Sequence, residues 1–194
     1  MEVHMSNMLN SSKIYMLLEK RKSPFLSMID KTYNYAEEFL PKINRVFANY
    51  TGHDKVHSLN VSDYMYHLCD APEELSDLEL TVMMYVALLH DIGMVVSEDE
   101  IRQVRAGVTG ITERKYDVVL NKYKDDITAL QECFRPIHGK RSYEHIMNMS
   151  SENFIIPGHT YISFQEEVAK ISAAHNENFE WIKNNVSSEN IKGE

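Results

Sequence analysis

The stretch YVALLHDIGM, residues 85–94, decides the fold, because an apolar helical run ends here in His90 and Asp91. One face of a helix is indicated by the spacing i, i+3, i+4 and i+7 of Met83, Val86, Ala87 and His90. Neighbouring residues in a helix point about 100° apart. The imidazole and the carboxylate can therefore share one metal ion most easily where the helix ends, which is where they lie.

Local signals predict both ends of this helix. Ser76 precedes the apolar run and Glu79 follows three residues later, which is a capping-box pattern at a helix start. Gly93 is predicted to end the helix as a C-cap glycine. An imidazole and a carboxylate suit zinc, iron, manganese or another divalent ion. The dipeptide alone is also compatible with a core histidine followed by a turn residue.

Composition bounds the class of protein. The chain has 194 residues, 43% hydrophobic and 25% charged, as expected of one globular domain. Its formal net charge of −9 argues against nucleic acid or an acidic membrane as a partner of the whole surface, although a local basic pocket remains compatible. Cys69 and Cys133 form no CxxC pair, as expected of free thiols in a reducing cytosol. No signal-peptide core and no membrane span of roughly 18 apolar residues is visible, so we expect a cytoplasmic protein.

Helix signals dominate the chain, and the only β-like stretch, residues 154–156, is too short for a sheet. The sequence therefore predicts an all-α bundle. Helices are expected at residues 13–20, 23–49, 51–70, 76–91, 97–107, 116–133, 134–149 and 164–178, with caps at Ser23 and Thr51 and a break at Pro41. We expect residues 1–50 to be a helical lead-in with a frayed start (1–12), 51–182 the domain core and 183–194 a polar tail that is compatible with a truncated end.

Two histidines lie early in the predicted helix 51–70. Val61, Tyr64 and Leu68 follow His57 at i+4, i+7 and i+11, which predicts that His57 shares a buried face. A buried histidine needs a partner, either a metal ion or another polar group. His53, one turn earlier, is a candidate metal ligand, supporting group or proton carrier.

Two further histidines stand near later helix ends. His138 lies in the first turn of its predicted helix beside Arg135, Lys140 and Arg141, which indicates either a phosphate pocket or a solvated charged turn. His175 ends the helically spaced set Val168, Ile171 and Ser172. Helical bundles build metal sites from side chains on facing helices. The remaining histidines are interpreted as surface or structural: His4, His67, His145 and His159.

These segments resemble the HD superfamily of metal-dependent phosphohydrolases, whose pattern is H…HD…D, often with two more histidines. YTGHDKVHS (50–58) supplies the first histidine and LSDLELTVMMYVALLHDIGM (75–94) the HD pair. FRPIHGKRS (134–142) resembles the R-x-x-H-x-x-R-S stretch of the HD-Ce subgroup, and His175 stands at the fourth histidine position. The resemblance covers about residues 45–180 and implies a helical bundle of the HD-domain type.

The resemblance also implies a ligand set. His57, His90 and Asp91 would hold one divalent ion, and His138 and His175 would serve a second ion or the substrate phosphate. The ion would be Mn, Fe, Zn, Mg, Ni or Co. Domains of the HD-Ce subgroup are often joined to a GHKL-type ATPase domain, so an attached or partner ATPase domain is implied.

Two departures from the pattern matter. The closing aspartate of the HD superfamily has no counterpart, because no aspartate follows Asp126. Three explanations remain open: the chain is a piece of a longer protein, as its polar end suggests, Glu177 or Glu180 substitutes, or the site is degenerate. The HDIGK and G-Y-P elements of the cyclic-dinucleotide branch are also missing, so that substrate is not supported.

The leading functional hypothesis is a metal-dependent phosphohydrolase acting on a phosphate ester, the expected substrate being a nucleotide. His53, Asp91 and His138 would serve catalysis, and Arg135, Lys140 and Arg141 would bind the substrate phosphate. A non-catalytic module that binds a metal ion or nucleotide within a larger protein is the alternative. A helical interaction domain with purely structural histidines is the third hypothesis.

Overall fold

The computed structural model describes residues 8–50, 52 and 54–186. In these residues the secondary structure is helical and no strand occurs, apart from an isolated antiparallel bridge between Ile155 and Ser163. The predicted all-α class is therefore confirmed.

The described residues form α-helices joined by short 3-10 turns. The α-helices are α1 Lys13–Lys20, α2 Leu26–Phe39, α3 Asn44–Phe47, α4 Lys55–Leu68, α5 Asp77–Leu89, α6 Glu98–Arg105, α7 Tyr116–Tyr123, α8 Asp126–Phe134, α9 His138–Asn148, α10 Gln165–Ala174 and α11 Phe179–Asn185. The 3-10 helices span Met8–Ser11, Leu40–Ile43, Pro72–Glu74, Ile92–Met94, Arg135–Ile137 and Ser151–Phe154.

Helix α5 lies at the centre of the core. Its buried side chains point in every direction around its axis: Leu80, Thr81, Met84, Tyr85, Val86, Ala87, Leu88 and Leu89. A helix that is apolar on all sides is a buried one, and α5 packs against α1, α2, α4 and α10. The capping box of Ser76 and Glu79 is present, as predicted. The dyad that follows α5 is therefore held by the most deeply buried helix.

The N-terminal helices belong to the same core. Ile14 and Leu18 of α1 and Ile29 of α2 are fully buried against it. Within the predicted frayed segment 1–12, residues 1–7 lie outside the described part, but Met8–Ser11 is helical and Leu9 is fully buried. The prediction of fraying is thus wrong for residues 8–12, because an apolar side chain there reaches the core.

Several predicted helix boundaries need correction. Helix α2 begins at Leu26, and the Ser23 hydroxyl accepts a hydrogen bond from the amide of Phe25 without capping the helix. The break at Pro41 is confirmed. The segment 116–133 is divided by Lys124, whose φ of 57° ends α7. Helix α11 was not predicted.

Helix α4 is shorter than predicted. It begins at Lys55, where the Asp54 carboxylate accepts hydrogen bonds from the amides of Val56 and His57 at 2.9 and 3.0 Å. A carboxylate that accepts N2 and N3 amides is a strong helix cap. The predicted cap, Thr51, lies outside the described residues.

No single helix in the described residues is long and apolar enough to cross a membrane. One pair bent by 41°, Asp77–Met94 with Glu98–Arg105, meets that test by length and composition only.

Candidate metal centre

The dyad occupies the turn that follows α5. His90 caps α5, and Asp91 precedes the 3-10 helix Ile92–Met94. The prediction that Gly93 caps α5 is wrong, because Gly93 lies inside that 3-10 helix and lacks a positive φ. A Cβ on Gly93 would lie 2.1 Å from the carbonyl oxygen of His138 and 2.4 Å from the amide of Ser142. The glycine is there because α9 approaches the turn backbone to backbone.

One oxygen of Asp91 faces His57 and His90. Its Oδ2 lies 2.9 Å from Nε2 of His90 and 3.4 Å from Nε2 of His57. The two Nε2 atoms are themselves 3.4 Å apart. These three side chains are close enough together to hold one metal ion.

The other oxygen of Asp91 faces the histidines of α9 and of the α10 end. Its Oδ1 lies 3.4 Å from Nε2 of His175 and 3.8 Å from Nε2 of His138. The Nε2 atoms of His138 and His175 are 2.7 Å apart. Asp91, His138 and His175 form a second group able to hold a metal ion, and Asp91, at 6% exposed, belongs to both groups.

Backbone carbonyls fix the orientation of three of these imidazoles. The Nδ1 of each lies 3.1, 2.6 and 2.5 Å from a carbonyl oxygen one turn earlier, in the pairs His90–Ala87, His138–Arg135 and His175–Ser172. A carbonyl only accepts, so each Nδ1 carries a proton and each neutral ring directs an Nε2 lone pair into the cluster. Two lone pairs at 2.7 Å repel unless a cation or a proton lies between them. The donor set therefore fits a metal ion.

The pKa values of His138 and His175 are shifted in opposite directions. Burial lowers the pKa of His138, which keeps this imidazole neutral and able to bind metal. Burial also acts to lower the pKa of His175, but the hydrogen bond to Asp91, the carbonyl of Ser172 and the charge of Asp91 together raise it. Without a metal ion, a shared proton would therefore reside on His175.

Comparison with protein-family models matches the HD-CE model to residues 47–194. The chain belongs to the HD-CE family. This confirms the resemblance to the HD superfamily seen in the sequence. Comparison with curated proteins and with solved structures finds no significant match.

His57, the first histidine of the HD-CE domain, reaches the cluster, but it does not share a buried face with Val61, Tyr64 and Leu68 as predicted. The face of α4 defined by Val61, Tyr64 and Leu68 is not buried, because Tyr64 and Leu68 are 67% and 83% exposed. Ser58, Leu59 and Ser62 are the buried side chains of α4 instead. His57 lies in the first turn of α4 beside this buried face and is itself half-buried. His53, predicted to serve catalysis, lies outside the described residues.

Arg141, predicted to bind phosphate, has a structural position in the HD-CE domain. Its Nε and one terminal nitrogen donate to the carbonyls of Gly93 and Val95, each at 2.8 Å. Its other terminal nitrogen lies 2.7 Å from the Glu100 carboxylate. The guanidinium of Arg141 therefore holds the turn that carries the dyad. Its predicted phosphate binding stays a prediction.

Ser142 bonds to the same turn as Arg141, and the two side chains together form a clamp on the turn that carries the dyad. Its hydroxyl donates to the carbonyl of His90 at 2.5 Å and accepts from the amide of Gly93 at 2.9 Å. Sequence reasoning missed the roles of Ser142 and Glu100. A signal existed for Glu100, because Ser97 and Glu100 show the same S-x-x-E pattern as Ser76 and Glu79 and form a second capping box.

The other two predicted phosphate-binding cations point in different directions. The Arg135 guanidinium stacks over the ring of Tyr50, 5.4 Å from its centroid, and its own carbonyl accepts from His138. Lys140 lies two residues after His138, about 200° around α9, and lines a cavity with Lys170 and Trp181. Lys140 therefore lies on a different side of α9 from His138. Phosphate binding by Arg135 and Lys140 stays a prediction.

No second carboxylate joins the cluster in the part of the chain that the structure describes. Glu177 lines the same cavity as Lys140, and Glu180 is exposed on α11. Neither glutamate takes the place of the closing aspartate in this arrangement.

Proposed function

We propose that this HD-CE domain is a metal-dependent phosphohydrolase that cleaves a phosphate ester, with a nucleotide as the expected substrate. The observation that carries the proposal is the position of Asp91. Each of its carboxylate oxygens faces a different pair of histidine Nε2 atoms. Two-metal hydrolases use such an arrangement, with ions about 3.5–4 Å apart.

The residues present fit two divalent ions. His57, His90 and Asp91 would hold one, and His138, His175 and Asp91 the other. Three protein ligands to each ion leave positions free for water and substrate, which is typical of a catalytic site. Imidazole-rich ligand sets favour Zn, Fe, Ni or Co over Mg. When bound, such ions lower the pKa of a coordinated water and supply a nucleophile near neutral pH.

The chain's own groups have distinct tasks in this proposal. Asp91 joins the two ligand groups and holds them at fixed separation. Arg135 has no carboxylate partner among the described residues, and its planar guanidinium is supported by Tyr50. The guanidinium of Arg135 therefore suits recognition of a substrate phosphate at the edge of the candidate metal centre. Both ring nitrogens of His138 have partners, Nδ1 the carbonyl of Arg135 and Nε2 the His175 ring, which favours a ligand role over the predicted proton transfer.

A regulatory module that binds metal or nucleotide without turnover is the second candidate. It is favoured by two observations on the described residues: the cluster contains no second carboxylate, and apolar side chains are exposed on α4, the helix that carries His57. Val56, Tyr64 and Leu68 are 44%, 67% and 83% exposed. Such a surface suits contact with an attached or partner domain, for which an ATPase domain is the expectation.

The test is hydrolysis of a nucleotide panel and a generic phosphodiester by metal-reconstituted protein, compared with Asp91→Ala. Loss of a group that merely supports a ligand costs about 10–100-fold, so loss of the shared ligand is expected to cost about 100-fold or more. Asp70→Ala, at an exposed aspartate, is the matched control and should retain activity. Unchanged turnover in Asp91→Ala would contradict the proposal. Thermal stabilisation by nucleotide without turnover would favour the regulatory module.

A further inference from the structure

A cavity of about 440 Å³ lies between α2 and the C-terminal end of α9. Its walls are Lys31, Thr32, Tyr35, His145, Asn148, Met149, Ser150 and Asn153. This volume is in the range of small-molecule sites in proteins. None of these residues belongs to the candidate metal centre.

The lining of this cavity is unusual for a chain with a net charge of −9. Among the described residues it includes an ammonium group, two side-chain amides, two hydroxyls besides that of Tyr35, and no carboxylate. Lys31 is exposed, and within the described residues its ammonium group has no carboxylate partner. In an otherwise acidic protein, a cavity lined by a cation and by no carboxylate of the described residues favours an anionic ligand.

The floor of the cavity is a hydrogen-bonded pair. The hydroxyl of Tyr35 lies 2.6 Å from Nε2 of His145, and Tyr35 stacks on Phe39 with ring centroids 5.1 Å apart. Burial, and then the nearby Arg141, lower the pKa of His145, while burial and then Glu38 raise the pKa of Tyr35. The pair is therefore neutral at neutral pH and offers an aromatic surface beside the cation.

We propose that this cavity binds a small organic phosphate, of about the size of a sugar phosphate. Lys31 contacts the phosphate, Asn148, Ser150 and Asn153 provide hydrogen-bond donors to its oxygens, and Tyr35 supports the organic part. Charged donors and amide donors are the groups that recognise phosphate oxygens in proteins.

The site is separate from the metal centre. His145 lies seven residues after His138, which is two helical turns, or about 10 Å, along α9. Binding there does not depend on whether the HD-CE domain hydrolyses phosphate esters. The two proposals can therefore fail independently.

The test is calorimetric titration of protein stripped of metal by chelation, so that the candidate metal centre cannot capture the phosphate through an ion. The probes are ribose 5-phosphate, inorganic phosphate and ribose. We expect ribose 5-phosphate to bind, ribose not to bind, and Lys31→Met to weaken ribose 5-phosphate by about 10-fold or more through loss of a charged hydrogen bond. Lys122→Met, at an exposed lysine of α7, is the matched control and should bind as the parent does.

The ring-proton NMR signal of His145, assigned with His145→Gln, locates the binding. Ribose 5-phosphate should shift this signal in the parent and not in Lys31→Met. Absence of binding, equal affinity in Lys31→Met, or an unmoved His145 signal would overturn the proposal. Equal affinities for inorganic and ribose phosphate would also overturn it, since they would assign the cavity to the free anion.

Discussion

At the scale of single residues, Asp91 and Glu100 each serve two partners. Asp91 divides its oxygens between two histidine pairs. One Glu100 oxygen caps α6 through the amide and hydroxyl of Ser97, each at 2.8 Å, and the other accepts from Arg141 at 2.7 Å. Glu100 thereby connects the start of α6 to the clamp that holds the dyad, although it touches no candidate ligand.

The partners of Glu100 predict a pH-dependent contribution to stability. Burial raises the pKa of Glu100, but Arg141 and Ser97 lower it by more, so the pKa is below its usual range. A carboxyl with a depressed folded-state pKa stabilises the protein above its unfolded pKa of about 4.3, and this stabilisation is lost as the pH falls through the folded value. We expect Glu100→Gln to lower the free energy of unfolding by about 1–3 kcal/mol at pH 7 and by less at pH 3.

Urea denaturation at a series of pH values measures this difference. Glu113→Gln, at an exposed glutamate without a partner in the described residues, should leave stability unchanged at each pH. A destabilisation by Glu100→Gln that is the same at pH 7 and pH 3 would contradict the role given to the ionised carboxylate.

At the scale of elements, the close approach of α9 to the turn after α5 shapes the candidate site. Arg141 and Ser142 of α9 bond to the turn on either side of Gly93. The same helix begins with His138. The contact therefore fixes the position of His138 relative to Asp91.

Replacement of Gly93 tests this contact. In Gly93→Ala the new Cβ would collide with the α9 backbone, at 2.1 Å from the His138 carbonyl oxygen. Neither backbone can move cheaply, so we expect a loss of about 3 kcal/mol in the free energy of unfolding, together with weaker metal binding. Gly52→Ala is the control, because among the described residues its Cβ would meet only the Asp54 side chain, at 3.8 Å or more. Equal stability of the two variants in urea denaturation would contradict the prediction.

Sequence reasoning succeeds here where the signal is local and fails where it is not. The capping box of Ser76 and the break at Pro41 depend on neighbours within four residues, and both are found as predicted. The hydrogen bond that Arg141 donates to the turn depends on Gly93, 48 residues away, whereas its proximity to His138 in sequence suggests only phosphate binding. Periodicity predicted a helix at α4 but misplaced its buried face, because an apolar stripe shows amphipathicity without showing which side is covered.

At the scale of the whole molecule, one core positions ligands from distant parts of the chain. His57 comes from α4, His90 and Asp91 from the end of α5, His138 from α9 and His175 from the end of α10. Helices α4 and α10 each pack on α5, and α9 packs on α10. A metal ion at either group would therefore connect helices that already share the core, and would stabilise the folded state over the unfolded one.

The metal content of the purified protein tests most directly whether Asp91 joins two metal sites. Elemental analysis should be made on protein produced with Mn, Fe, Zn, Ni and Co supplied, beside Asp91→Ala and the control Asp70→Ala. We predict about two transition-metal ions per chain in the parent and in Asp70→Ala, and loss of both in Asp91→Ala, because each group then keeps only two histidines. A folded parent without bound metal, or an Asp91→Ala variant that keeps both ions, would contradict a shared carboxylate at the centre of the site.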